Sequence, residues 1–272
     1  MKGELKVMRG SWRRAFCLLM LAPWLWAGDT PPVDRFDTVV IDAGHGGADL
    51  GARGAGGSLE KHRVFTLTQE LATRLKARGL HVVLTRQSDE FVSLERRSAI
   101  ANDARGDLFL SIHANASRDR GVRGSETYFL ALDASDDAAA QLASRENAAF
   151  EVEGRPELAI LQDPFVALMG DLIATEDLQE SSELASLVQR ELAGVQGLRS
   201  RGVKQALFVV LSGVQMPAAL VEVGFISNAS DARTLADGAG RTHIVKALER
   251  AVLAFGRRYD ARRGEPPVDT GR

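Results

Sequence analysis

What most constrains the fold of this chain is an alternation between short apolar runs and longer segments whose apolar residues recur at helical spacing. The runs are 38–43 (TVVIDA), 81–85 (HVVLT), 108–112 (LFLSI), 125–130 (SETYFL), 207–211 (LFVVL) and 218–223 (AALVEV). Between them, 61–78 sets Val64, Leu67, Leu71 and Leu75 on one face and stops at Gly79, a helix-ending residue. Segments 93–104, 181–192 (Leu184, Leu187, Val188, Leu192) and 243–255 also read as helices. Strands that are apolar on both sides must be covered on both faces, and parallel strands need long crossovers. The pattern therefore predicts an α/β fold: a single domain with a mostly parallel twisted sheet of about six strands and helices on both faces.

The ends of the chain read differently. A basic stretch ends at Arg14, residues 15–26 (AFCLLMLAPWLW) carry no charge, and Ala27-Gly28-Asp29 turn small and then polar. An uncharged run this short does not span a bilayer, which needs ~20 residues, so 1–27 is expected to be a signal peptide. Arg13-Arg14-Ala15-Phe16 also fits a twin-arginine signal, leaving the export route open. Cys17 opens the apolar run instead of following it, so it is not placed as a lipoprotein acceptor. Cleavage near Ala27 removes this single cysteine, and with it any disulfide or thiolate chemistry. Residues 28–36 are expected to be a linker, 37–259 the catalytic domain and 260–272 a disordered polar tail. No stable membrane anchor would remain after cleavage. Of the overall net charge of −2, residues 1–27 carry +4 and the remainder −6, which excludes a basic nucleic-acid-binding surface.

In an open α/β sheet, sites form beyond the carboxyl ends of the strands. The first run leads into Asp42-Ala43-Gly44-His45-Gly46-Gly47, the LFLSI run into His113-Ala114-Asn115, and AALVEV carries Glu222. Glu60 stands at the head of the helix after the glycine loop. Two histidines and two carboxylates thus converge on one sheet edge. His₂Glu with an open fourth position is a catalytic zinc ligand set, leaving the other glutamate to act on water. Glu60 alone would be explained by the helix dipole, which favours an acid in the first turn. Glu222 has no such alternative, because a carboxylate within an apolar strand needs a partner or a metal. His62, His81 and His243 lack this context and are read as structural. The glycines from Gly44 to Gly57 match neither G-x-G-x-x-G, since Asp49 and Leu59 stand where glycine is required, nor a P-loop. They are better explained as bends that let His45 and Glu60 reach one ion.

These stretches resemble the zinc-dependent N-acetylmuramoyl-L-alanine amidases of the type-3 catalytic class, in their cell-division branch. The matches are V-I-D-A-G-H-G-G (40–47), L-E-K (59–61), L-T-R-x-S-D (84–89), D-L-F-L-S-I-H-A-N (107–115), R-G-S-E-T-Y (123–128), R-G-V-K-Q-A-L-F-V-V-L (201–211) and P-A-A-L-V-E-V-G-F-I-S-N (217–228). Ala43 departs from the proline common in relatives. The resemblance implies that His45, Glu60 and His113 hold one Zn²⁺ and that Glu222 is the catalytic glutamate. It implies hydrolysis of the amide between N-acetylmuramic acid and the L-alanine of the stem peptide, in cell-wall remodelling and daughter-cell separation. The location would be the periplasm or the cell wall.

Two other classes stay open: another exported zinc hydrolase acting on wall material, such as a peptidase or deacetylase, and a non-catalytic wall-binding regulator. Segment 147–180 is longer than a crossover needs and is a candidate regulatory insert. Asp163-Pro164 starts a helix there, with Phe165, Leu168, Met169, Leu172 and Ile173 on one face. In the branch it resembles, an extra helix at this place supplies an inhibitory carboxylate that an activator protein displaces. Asp171, Glu176, Asp177 and Glu180 are the acids nearby, with plain packing as the equal alternative.

Overall fold

Burial divides the first strand by parity, and the same division organises the whole domain. In the computed structural model, which describes residues 35–148, 175–236 and 238–264, β1 (Thr38–Ala43) is buried along its full length. Val39 and Ile41 point into one apolar cluster and Val40 into a second on the opposite face. The strand thus has to lie between two layers, as its apolar sequence demands.

The remaining elements in chain order are α1 (Glu60–Lys76), β2 (His81–Leu84), α2 (Leu94–Asp103), β3 (Leu108–Asn115), β4 (Ser125–Leu130), α3 (Asp137–Asn147), α4 (Thr175–Ala193), β5 (Ser200–Ala206), α5 (Val209–Ser212), β6 (Ala218–Phe225), α6 (Ala229–Ala236) and α7 (Gly238–Arg262). The six strands form one sheet in the order β2-β1-β3-β6-β4-β5, parallel throughout except for the antiparallel β4–β6 pair. Helices α1, α4 and α7 cover one face and α2, α3 and α5 the other, as the sequence pattern predicts.

Three readings need correction. Residues 207–211 are not a strand: Val209–Ser212 make the short helix α5, and the strand lies just before it, at Ser200–Ala206. As an edge strand, β5 is mostly half-exposed and carries no apolar run, whereas Phe208, Val210 and Leu211 are apolar because they are buried beneath the sheet. Helices α3 and α6 stand in addition to the helices the periodicity predicts. The ends of the domain reach further than expected: α7 runs to Arg262, and buried Asp260 accepts a hydrogen bond from the Phe36 N–H at 2.8 Å. Phe36 also stacks edge-on against Phe255 and Tyr259 at 5.9 and 5.6 Å. Phe36 and Asp260, the residues at the two expected boundaries, therefore meet inside the folded unit. The signal-peptide segment and residues 149–174 of the regulatory insert lie outside the described residues. Among those described, no helix is long and apolar enough to cross a membrane.

Candidate metal centre

The face covered by α2 and α3 holds Val40, Phe109 and Leu220, and the same strand parity carries Asp42, Ser111, His113 and Glu222 onto it. These polar groups sit toward the carboxyl ends of β1, β3 and β6. Beyond Ala43 the chain turns sharply, with His45 in the left-handed region at φ +60°, a conformation costing a non-glycine residue ~1 kcal/mol. Two glycines make room for the cluster. A Cβ at Gly44 would lie 2.4 Å from the His113 ring, and one at Gly51 would lie 2.5 Å from the His45 ring and 2.7 Å from Glu60 Oε2.

Two buried arginines hold this loop. Arg97 donates to the carbonyls of Ala43 (2.7 Å), His45 (2.9 Å) and Val92 (2.9 Å), and pairs with Asp42 Oδ1 at 2.7 Å. Arg86 donates to the carbonyls of Ala43 (3.0 Å), Gly44 (3.1 Å), Ser88 (3.1 Å) and Lys61 (2.9 Å), tying the loop to α1. Asp42 also accepts from Thr85 and Ser111. Burial would raise its carboxyl, but Arg97 and the two hydroxyls outweigh burial and hold it below the usual carboxylate range.

The site residues named from the sequence come together. Glu60, the first residue of α1, is fixed by the N–H groups of Ala114 on Oε1 (2.9 Å) and Ala52 on Oε2 (2.8 Å). Its Oε1 lies 3.0 Å from His45 Nε2 and 3.2 Å from His113 Nδ1. His45 Nδ1 meets Asp49 Oδ2 at 2.8 Å, which turns Nε2 inward. A fourth group, Glu146 Oε2, lies 3.1 Å from His113 Nδ1 and 3.4 Å from His45 Nε2. His45 Nε2, His113 Nδ1 and Glu146 Oε2 are buried with no hydrogen-bond partner among the described residues. Ligands ~2.0–2.1 Å from a tetrahedral zinc stand about 3.3–3.4 Å from one another, close to these separations. The donor set therefore fits a zinc ion.

The electrostatics agree. Burial opposes protonation of His113, yet the facing Glu146 and Glu60 raise it to about 10. His45 is likewise raised against burial by Glu60, Asp49 and Glu146. Burial would raise Glu60, but the two histidines hold it well below the carboxylate range. The cluster is short of positive charge, which a dication would supply. Glu222 sits beside it, directly across from His113 in the β3–β6 register. It is fully buried with neither oxygen hydrogen-bonded among the described residues, and burial, with Glu60 nearby, pushes its carboxyl well up.

Sequence reasoning missed Glu146. It sits at the carboxyl end of α3, which Asp136 caps on Ala139 N–H and Asn147 pins to Leu207 O and Val209 N–H. The dipole disfavours a carboxylate there, and the two histidines offset it. The signal was available: Ala139, Leu142, Ala143 and Glu146 fall at i, i+3, i+4 and i+7, putting an acid on the buried stripe. Of the acids expected to reach the metal, Asp171 lies outside the described residues, as do the side chains of Glu176 and Asp177. Glu180 is instead tied to Arg262 at 2.9 Å and Arg263 at 3.6 Å. Its neighbour Ser181 bonds to Ala218, at the opposite end of the strands from the site. His62, His81 and His243 are exposed and take no part.

The cluster opens into a groove of about 1770 Å³ bordered by Phe91, Asn115, Arg118, Glu126, Arg145 and Arg201. Residues 39–254 match the family model described as N-acetylmuramoyl-L-alanine amidase. The chain is 36% identical over 224 residues to the N-acetylmuramoyl-L-alanine amidase AmiA of Escherichia coli (strain K12), covering 82% of this chain and 77% of that protein. It is 34% identical over 219 residues to the amidase LytC of Bacillus subtilis (strain 168), covering 80% of this chain and 35% of the relative. Among solved structures it is similar to the amidase AmiC2 of Nostoc punctiforme, with a TM-score of 0.61 and 28% identity over 80% of this chain and 96% of that one. With a family match across nearly all of its folded residues, and amidases among both kinds of relative, this chain belongs to the N-acetylmuramoyl-L-alanine amidase family.

Proposed function

We propose that this chain is an exported zinc amidase that cleaves the bond between the lactyl carbonyl of N-acetylmuramic acid and the L-alanine of the peptidoglycan stem, in wall remodelling and daughter-cell separation. The observation that carries the reading is the His45–Glu60–His113 donor triangle beside an unpartnered, buried Glu222. A zinc ion held there would polarise the scissile carbonyl and lower the pKa of water to ~7. Glu222 is the group placed to move protons: as a carboxylate it would take one from the attacking water and give it to the leaving alanine nitrogen. Such general acid–base work contributes roughly 10²–10⁴-fold. Asp49 keeps His45 in the tautomer that presents Nε2.

Glu146 fills the place a substrate oxygen would need, within 3.1–3.4 Å of both histidines. On this reading α3 blocks the resting enzyme, and an activator protein that draws it away opens the site. The early basic and apolar segment supports export to the periplasm or wall. Digestion of purified peptidoglycan by the mature protein and by its unblocked Glu146→Ala form, each with and without chelator, tests the assignment by mass analysis. Chelator-sensitive release of stem peptides with a free N-terminal alanine is expected. Cleavage at any other bond refutes it.

A further inference from the structure

The edge strand β5 does something an ordinary strand cannot. Side chains three apart on a regular strand face opposite sides of a sheet, yet Arg201 and Lys204 both reach Glu126 Oε1, each at 2.8 Å. The β4–β5 register explains this: Ser125 pairs with Ser200 but Thr127 with Val203, so β5 carries one extra residue, and Gly202 takes φ +93° at that point. A bulge of this kind re-aims side chains and is favoured beside active sites. Here it brings two cations onto the site face, against one carboxylate.

Glu126 stands directly opposite Glu222 in the β4–β6 register. It is already satisfied on its other oxygen by the Tyr128 hydroxyl at 2.9 Å, and Lys204 turns partly to Asp136 at 3.2 Å. Arg201 spends only its Nε on Glu126 and lays its guanidinium over the Phe225 ring at 5.4 Å. Its side chain is 29% exposed, against 3% for Glu126, and both line the groove that contains His45 and Glu60. The guanidinium is thus held at its inner edge and stacked on one face, with its outer edge toward the groove. That arrangement suits two parallel hydrogen bonds to a carboxylate.

We propose that Arg201 forms a carboxylate-binding subsite that selects stem peptides with a free acid on the residue after L-alanine. This rests on the amidase reading of the site. That residue of the stem is a glutamate joined through its side chain, so its α-carboxyl is free in some walls and a carboxamide in others. In an extended stem it follows the scissile nitrogen by roughly 6–7 Å. Arg201 is rooted two strands from Glu222, about 10 Å at ~4.8 Å per strand, and its long side chain covers the difference. The bulge and the Phe225 stack make Arg201 a specificity group, while the proton work stays with Glu222.

The test compares two synthetic substrates, N-acetylmuramoyl-L-alanyl-D-glutamate with its γ-carboxyl blocked as the methylamide and the α-carboxamide of that same compound, on the zinc-loaded chain and, in parallel, on a Glu146→Ala form. The free acid should be preferred by roughly 10–100-fold in kcat/KM, the size expected for a charge-assisted pair. Arg201→Gln should erase the preference by slowing the free acid, and Arg201→Lys should retain part of it. Equal kcat/KM on both substrates in the unmutated enzyme overturns the subsite and needs no variant to fold. A preference that survives in Arg201→Gln overturns it too. If neither substrate is cut at the lactyl amide by either form, the amidase reading itself fails, and the subsite with it.

Discussion

Replacing Arg97 by lysine tests whether the metal loop is held in place or merely packed. The guanidinium joins Asp42 to three carbonyls, those of Ala43, His45 and Val92, at 2.7–2.9 Å. Lysine keeps the charge beside Asp42, but its single nitrogen cannot span all four acceptors. It would reach Asp42 and the Ala43 carbonyl, which Arg86 also serves, leaving the part-buried carbonyls of His45 and Val92 unpaired at about 1–3 kcal/mol each. Part of this is recovered by relaxation and water, so a stability loss of about 2–4 kcal/mol is expected in denaturant unfolding. The second consequence is specific to the site. Without the bond to its carbonyl, His45 is free to leave the left-handed conformation, and zinc must restore the loop on binding. Supporting groups of this kind alter metal affinity by ~10–100-fold, so competition against a chromophoric chelator should show zinc held at least 10-fold more weakly. A variant that loses stability but binds zinc as tightly as the parent would refute the reasoning and reduce Arg97 to packing.

Four further outcomes are expected. Glu222→Gln should retain zinc, by metal analysis, while losing ~10²–10⁴-fold in turnover; loss of zinc would make Glu222 a ligand. Glu146→Ala should raise basal hydrolysis of peptidoglycan without an activator, and a folded variant with unchanged or lower activity would end the blocking role. Asp49→Ala should weaken zinc binding by ~10–100-fold while leaving the fold intact by circular dichroism. Asp42 has a folded pKa below its unfolded value, so the stability it contributes is fully present above ~pH 4 and is lost as pH falls through the lower folded value. Asp42→Asn should therefore flatten the fall of stability below ~pH 4, at the cost of a lower plateau above it, where Arg97 is left without its partner.

The local regularities were legible without coordinates. Apolar runs such as TVVIDA and LFLSI can be strands only if covered on both sides, and Leu67, Leu71 and Leu75 can be buried together only on a helix. The strand-end histidines and Glu222 stood out because a polar group in an apolar run needs a chemical reason to be there. From these signals alone follow the α/β class, the sheet edge on which His45, Glu60, His113 and Glu222 meet, and the families of chemistry that edge can support. These depend on period and on burial, which act over a few residues. Other features depend on contacts between residues far apart in the chain. Glu146 reaches His113 across 33 positions because α3 is docked on the sheet by Leu142 and pinned by Asn147. β5 escaped notice because an edge strand needs no apolar signature, and its bulge is visible only in the register with β4. Arg86, in the loop after β2, and Arg97, in α2, carry no local mark of their role, because only folding brings them to the carbonyls of the turn around His45. Local sequence fixes which groups want burial or a charge partner, and the packing of remote segments decides which partner each one gets.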